Sequence, residues 1–291
     1  MDTESLKIFC AVAAELSITN AAARLGRVPS NVTTRIQQLE ADMAVELFVR
    51  TGKRIALSGA GERFLDYARR MLALEDEARH VVTGGRDGGT LRIGSMESTA
   101  ASRLPAVLAA YHAQHRATRL ELQTGPSRQL IEQVRMGKLD CAFAALPPGM
   151  DGLADLAETG LQARPIWTEQ LLLLLPAGAS VTATAGDIAP RSLAAFPQGC
   201  SYRNAAEQWL GIAGSSDWHI QEMSSYHAMV ACVAAGASVT VLPASVLQLS
   251  AASAMLPSIA LGQMDTCLVW RKGYDVPAFQ NLASALWQVP A

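Results

Sequence analysis

Apolar residues recur every three to four positions along the first third of the chain, the period of a helix with one buried face. Leu6, Phe9, Ala13 and Leu16 share such a face and predict one amphipathic helix. Ile18, Ala22 and Leu25 predict a second, short helix capped by Ser17 or Thr19. Gly26-Arg27-Val28 breaks the pattern. Pro29 then pre-sets the first turn of a third helix, whose stripe is Val28, Val32, Ile36 and Leu39. Two short helices around a small break make the helix-turn-helix pattern. From Val49 to Leu57 a glycine turn stands between β-prone residues and predicts a small β-wing. The helical period returns from Gly59 to about Val82. Phe64, Ala68, Met71, Glu75 and Ala78 lie on one face there, with Leu65 and Leu72 beside them. So thin a stripe on so long a helix predicts a partner helix.

The stretch Thr83-Gly84-Gly85-Arg86-Asp87-Gly88-Gly89 is mostly glycine and reads as a hinge. Beyond it, short apolar runs alternate with helical stretches. Strands are predicted at Leu91–Gly94, Leu120–Gln123, Cys141–Leu146, Gln170–Leu175, His219–Met223, Ser238–Leu242 and Cys267–Arg271. Helices are predicted around Ala101–His115, Leu130–Gly137, Asn204–Gly211, Tyr226–Ala235, Ala244–Gln248 and Pro277–Gln288. Repeated βα units predict parallel sheets with helices on both faces.

Composition narrows the function classes. Half of the 291 residues are hydrophobic and 17% are charged, which supplies real cores and argues against disorder. The length favours two domains over one. A formal net charge of −2 says nothing about nucleic acid by itself, so local charge decides. Between Asn20 and Ser58 the bases Arg24, Arg27, Arg35, Arg50, Lys53 and Arg54 face only Glu40, Asp42 and Glu46. Five cysteines, none at zinc-finger or thioredoxin spacing, argue against a disulfide framework or structural zinc. His112 and His115 lack a third ligand nearby, so neither a metal nor another cofactor is expected. Asp2 and Glu4 stand where a signal peptide would be basic. The longest purely apolar run, Leu171–Leu175, is too short to cross a bilayer. The expectation is a cytoplasmic protein with no membrane partner. No nucleophile elbow, Walker loop, dinucleotide fingerprint or His-Glu zinc pair occurs, so the chain does not read as an enzyme.

The segment Leu6–Gly61 resembles the LysR-type transcriptional regulator signature. The matching text is Leu6-Lys7-Ile8-Phe9, Ser17 through Leu25, Val32 through Glu40, Glu46 through Arg50, and Leu57 through Gly61. Ala44 departs from a frequent glycine, a helix-end detail, and Pro29-Ser30-Asn31 departs at the recognition turn. The resemblance implies an N-terminal all-α winged helix-turn-helix with a long linker helix. It further implies a C-terminal α/β, periplasmic-binding-protein-like effector domain of two subdomains. The boundaries expected are 1–58, 59–89 and 90–291, with subdomain I about 90–165 and 268–291 and subdomain II about 166–267. Implied partners are double-stranded promoter DNA, a small-molecule effector, RNA polymerase, and further copies forming a homodimer and then a homotetramer.

Recognition-helix residues near the N-terminus are the ones that reach base edges. Ser30, Asn31, Thr33, Thr34 and Arg35 point away from the apolar stripe. Asn suits adenine, Arg guanine, and a threonine methyl thymine. With Arg27 and Pro29 beside them, and Arg50, Lys53 and Arg54 on the wing for phosphates, they form the expected DNA-binding set.

In the second half, ligands of such folds sit at the carboxyl ends of strands. That rule selects Ser98 and Thr99, Ser127, and Cys200, Ser201, Tyr202 and Arg203, all at predicted helix starts that favour an anion. The Arg203 fork suits a carboxylate or a sulfate-like group. Capping alone also explains a serine or threonine at a helix start. Cys200 beside Arg203 raises the alternative of a thiol-redox sensor. A transport solute-binding protein would share this half but carry no DNA module.

Overall fold

The computed structural model describes residues 1–51, 54–83, 89–146, 153–181, 184–212, 215, 217–249 and 256–287. The chain divides into two compact units, one holding Met1–Thr83 and the other nearly all the rest. Most of the predicted hinge, Lys53 and Pro147-Pro148 lie outside the described residues.

In the first unit, each helix start is prepared locally. Asp2 caps α1 (Thr3–Glu15) by accepting the Ser5 N–H at 2.7 Å, and Ser17 caps α2 (Ile18–Arg24) by accepting that of Asn20 at 3.3 Å. Helix α3 (Pro29–Met43) has no side-chain cap and opens on Pro29, whose missing N–H would have no intrahelical partner anyway. Val28 is the N-cap residue and is 62% exposed, so it is not part of the buried stripe as its spacing suggested. Val32, Ile36 and Leu39 carry that stripe. Leu16 is likewise turned out, as the left-handed C-cap of α1 at φ 46°. Ala44 ends α3 in the same conformation, at φ 51°, where glycine would carry no steric cost.

Strands β1 (Phe48–Thr51) and β2 (Arg54–Leu57) pair antiparallel and form the wing. Helix α4 (Gly59–Thr83) follows at once. Phe9 centres this core, its ring 5.3 Å from Phe48 and 5.1 Å from Phe64. Glu40 Oε1 accepts the Leu47 and Phe48 N–H groups at 2.8 and 3.0 Å, which fixes the wing to the end of α3.

The second unit is one eight-stranded sheet. Its strands are β3 (Thr90–Ser95), β4 (Arg119–Thr124), β5 (Cys141–Ala145), β6 (Leu161–Leu174), β7 (Ser192–Ala195), β8 (His219–Glu222), β9 (Val239–Pro243) and β10 (Ser258–Arg271), in spatial order β4-β3-β5-β10-β6-β9-β7-β8. The helices are α5 (Glu97–Ser102), α6 (Leu104–Gln114), α7 (Ser127–Arg135), α8 (Leu153–Glu158), α9 (Ser201–Leu210), α10 (Tyr226–Ala234), α11 (Ala244–Leu247) and α12 (Pro277–Trp287). Three apolar clusters hold them. The first takes the inner faces of α7 and α9, the second those of α6 and α12, the third those of α10 and α11.

The expectation of a parallel sheet needs correction. β3, β4 and β5 are parallel at one end, and β7, β8 and β9 at the other. Between them the long strands β6 and β10 run antiparallel to each other and to their outer neighbours β9 and β5. Only the apolar final parts of β6 and β10 were readable as strands. Their first parts are mostly half-buried or exposed, without regular alternation, and include Arg164, Pro165 and Asp265. They are strands because they pair with each other, which no local window reveals.

Candidate functional site

On α3, Ser30 and Thr34 are exposed opposite the Val32–Ile36–Leu39 stripe, Asn31 is exposed at its side, and Thr33 and Arg35 flank it half-buried. The threonine hydroxyls donate back to the helix, Thr33 to the Pro29 carbonyl and Thr34 to that of Ser30, each at 3.0 Å. That fixes the side-chain rotamers and turns the methyl groups toward the surroundings. Arg35 pairs with Asp2 at 3.3 Å, and Arg27 with Glu4 and the Asn31 side-chain oxygen. These are exposed ion pairs, worth about 0–1 kcal/mol each, so a phosphate can displace the acids at little cost. Arg50 and Arg54 stand on β1 and β2, one register step apart across the wing.

The second unit holds a cavity of about 170 Å³ where helix starts follow strand ends. Its walls come from both ends of the sheet. Met96, Glu97 and Ser98 follow β3; Thr124 to Ser127 follow β4; Phe196, Pro197, Cys200 and Tyr202 follow β7; Ser224 and Tyr226 follow β8. Local chemistry draws these starts together. The Ser127 hydroxyl accepts the Ala145 N–H at 3.2 Å, and the Ser201 hydroxyl donates to the Ala145 carbonyl at 3.0 Å. Both α7 and α9 are thereby moored to the end of β5. Gly199 turns the incoming loop at φ 94°, a conformation that favours glycine, and its carbonyl accepts the Arg128 N–H at 3.4 Å.

Of the seven residues expected from sequence, Ser98, Ser127, Cys200 and Tyr202 line this cavity. Thr99 and Ser201 are buried beside it and are not on its wall. Arg203 requires a correction. Its Nε donates to Glu207 at 2.6 Å, and its Nη1 to Glu222 at 2.7 Å and to the Phe196 carbonyl at 3.1 Å. With 5% of its side chain exposed, its charge is consumed inside the protein. Glu207, four residues on and on the same helix face, was a visible warning. Sequence reasoning left Glu97, Phe196 and Tyr226 out of the site. Phe196 follows β7, whose Ser-Leu-Ala-Ala run carries little strand signal.

The cavity wall is rich in hydroxyls and short of partners. Glu97 Oε2 is buried without a hydrogen-bond partner, while the buried Ser98 hydroxyl lies in reach of the Tyr202 and Tyr226 hydroxyls, and that of Tyr202 also of Thr266, none of them well aligned. Burial raises the Glu97 carboxyl above the usual carboxylate range and pushes the Tyr202 phenol up to about 12. The Cys200 thiol is also pushed up by burial, against the pull of the Arg203 and Tyr202 backbone N–H groups. Among the described residues no cluster of His, Cys, Asp and Glu is suited to a metal ion, and no helix is long and apolar enough to cross a membrane.

Comparison with known proteins agrees with this two-part arrangement. Residues 3–62 match the model of the bacterial regulatory helix-turn-helix protein, lysR family, and residues 84–291 match the LysR substrate binding domain. The HTH-type transcriptional regulator YusT of Bacillus subtilis is 35% identical over 278 residues, covering 94% of this chain and 90% of that protein. The regulator GltR of the same organism is 33% identical, covering 85% and 81%. Full-length OxyR from Pseudomonas aeruginosa is similar in fold, with a TM-score of 0.72 at 20% identity, over 99% of this chain and 95% of that one. Full-length CbnR complexed with its target DNA gives 0.66 at 23% identity, over 99% of each chain. At such identities the structural likeness speaks for the fold alone. The matched models and the relatives named as transcriptional regulators together establish that this chain belongs to the LysR family of DNA-binding transcriptional regulators, a non-enzymatic family with an effector-binding domain.

Proposed function

We propose that α3 and the wing read promoter DNA and that the cavity in the second unit holds the small molecule that modulates binding. The observation that carries the first part is the exposed polar edge of α3 behind a fully buried stripe. Ser30, Asn31, Thr33, Thr34 and Arg35 face the major groove, with Arg27 and Pro29 at the turn, while Arg50, Lys53 and Arg54 meet phosphates. Replacing Arg35 with alanine is expected to weaken binding to the chain's own upstream DNA by roughly 1–3 kcal/mol. A gel-shift titration at fixed low salt measures this, and an unchanged affinity overturns the assignment of α3.

The domains follow as 1–58, 59–89 and 90–291, with the second unit's two halves as subdomains. Helix α4 exposes Tyr67, Leu74, Val81 and Val82, apolar groups that a second α4 would cover. A homodimer pairs these helices, and two dimers make the tetramer that spans two half-sites. RNA polymerase is the further partner and the cytoplasm the working place.

The effector reading rests on the cavity itself, which lies at the strand ends and gathers the Ser98, Tyr202 and Tyr226 hydroxyls with the unpartnered Glu97 Oε2 in one wall. Buried polar groups without partners are costly, and a ligand that satisfies them recovers that cost on binding. The starts of α7, α9 and α10 favour an anionic group on this ligand. Arg203 contributes scaffolding through Glu207 and Glu222. The redox alternative loses support because burial disfavours the reactive Cys200 thiolate. The expected result is that the Cys200 thiol of the folded protein reacts with iodoacetamide at neutral pH far more slowly than a free cysteine does. Operator binding then stays constant under peroxide, and a peroxide-dependent footprint restored by reductant would reinstate the redox mechanism.

A further inference from the structure

One carboxyl group in the effector half borders two cavities and faces only a histidine, among the described residues, as a basic group on their walls. Glu97 opens α5 and lines the 170 Å³ cavity. It also lines a second cavity, of about 210 Å³, whose wall is otherwise mainly apolar: Ala101, Val230, Ala231, Leu242 and Val246 among others. The carboxylate thus stands on the partition between two chambers. Its Oε2 is buried and accepts no hydrogen bond.

Among the described residues, no lysine or arginine lines either chamber. Arg103 and Arg203 are committed to other carboxylates: Arg103 to Glu169 at 2.8 Å, and Arg203 to Glu207 and Glu222. His227 is exposed, lines the second chamber only, and acts on Glu97 through space. Tyr226, which lines both chambers, is neutral at physiological pH because burial holds its phenol well above its usual range. A partly dehydrated acid without a donor costs free energy in the empty protein. That cost is recovered if the occupant of the cavity brings a charged N–H donor.

We propose that the effector carries a protonated amine that pairs with Glu97. The inference rests on the effector reading of the same cavity and adds the chemical class of the ligand. The ammonium sits against Glu97, and an anionic group of the same molecule lies toward the starts of α7, α9 and α10. The apolar body contacts Met96, Pro126 and Phe196. An amino-acid-like zwitterion meets all three demands.

The test is a melting-temperature screen of the full-length chain with α-amino acids, primary alkylamines, and carboxylic acids of matched carbon skeleton. Amine-bearing probes are expected to raise the melting temperature, and each amino acid more than its deaminated counterpart. Glu97→Gln is expected to weaken the amine probes on the order of tenfold to a hundredfold, measured by calorimetric titration. The same variant without probe should melt at or above the wild-type temperature, since it removes a poorly solvated charge. If the acids stabilise as well as their amino counterparts, or if Glu97→Gln leaves amine binding unchanged, the amine assignment is wrong. Ser224→Trp, at the exposed rim of the first cavity, separates that failure from failure of the effector reading. A stabilising probe indifferent to this plug binds elsewhere and overturns both, as does a panel in which nothing binds.

Discussion

Gly61→Ala is expected to destabilise the DNA-binding unit by about 3 kcal/mol or more and to abolish operator binding near the working temperature. A Cβ at this position would lie 2.0 Å from the Leu47 carbonyl oxygen. That oxygen cannot yield easily, because it accepts the Ser58 N–H at 2.9 Å. The glycine's own N–H donates to the Ser58 hydroxyl at 2.9 Å, which in turn donates to the Glu46 carbonyl at 2.6 Å. Helix α4 therefore begins in direct backbone contact with the strand entering the wing, and one methyl group must lift it off. Gly59→Ala is the control: among the described residues its Cβ would meet just the end of the flexible Arg63 side chain, at 3.7 Å. Thermal unfolding of the full-length chain, followed together with a gel shift, should separate the two variants clearly. Equal melting curves would mean that the close approach is not a real constraint.

The second large effect is expected at Asp140 in the other unit. This carboxylate is 1% exposed. It accepts the Arg92 backbone N–H at 2.7 Å and the Arg92 guanidinium at 3.1 Å through one oxygen and at 2.9 Å through the other. Arg271 lies 4.0 Å away. Asp140→Ala removes the buried acceptor that takes three hydrogen bonds from Arg92, a change that costs about 3–5 kcal/mol for fully buried pairs. Arg92 keeps 30% of its side chain in solvent, so the lower end, about 3 kcal/mol, is the expectation. Denaturant unfolding of the effector half measures it directly, while DNA binding by the other unit gives an internal reference. A loss below about 1 kcal/mol would place Asp140 among ordinary surface pairs.

The two halves of the chain differ in what their residues disclose before folding. In the first unit nearly every decision is local. The stripe of α3, the Ser17 cap and Pro29 all act within a few residues. The errors there, Val28 and Leu16, are cap residues that happen to fall in phase with the stripe, and spacing cannot tell the two apart. In the second unit, Ser98, Ser127, Cys200 and Tyr202 reached the cavity because a general rule places ligands at strand ends. The first parts of β6 and β10 stayed hidden because their identity as strands comes from each other, about a hundred residues apart. Arg203 was misassigned for a related reason: Glu222 reaches it from β8, a neighbour created only by folding. Glu97 was visible in the text but stood against the expectation of an anion, and only its burial without a donor gives it weight.

The pairing of β6 with β10 limits how the two ends of the eight-stranded sheet could move against each other. Both strands run the whole width between the two ends of the sheet, and their ladder continues across it with irregularities at Ala260/Gly262 and Thr266/Cys267. A hinge made of loose connections would let the ends swing freely; this one is a ribbon whose backbone bonds must survive the motion. Any turn of one end relative to the other would therefore have to wind or unwind a two-stranded band, whose ladder slips at Gly262.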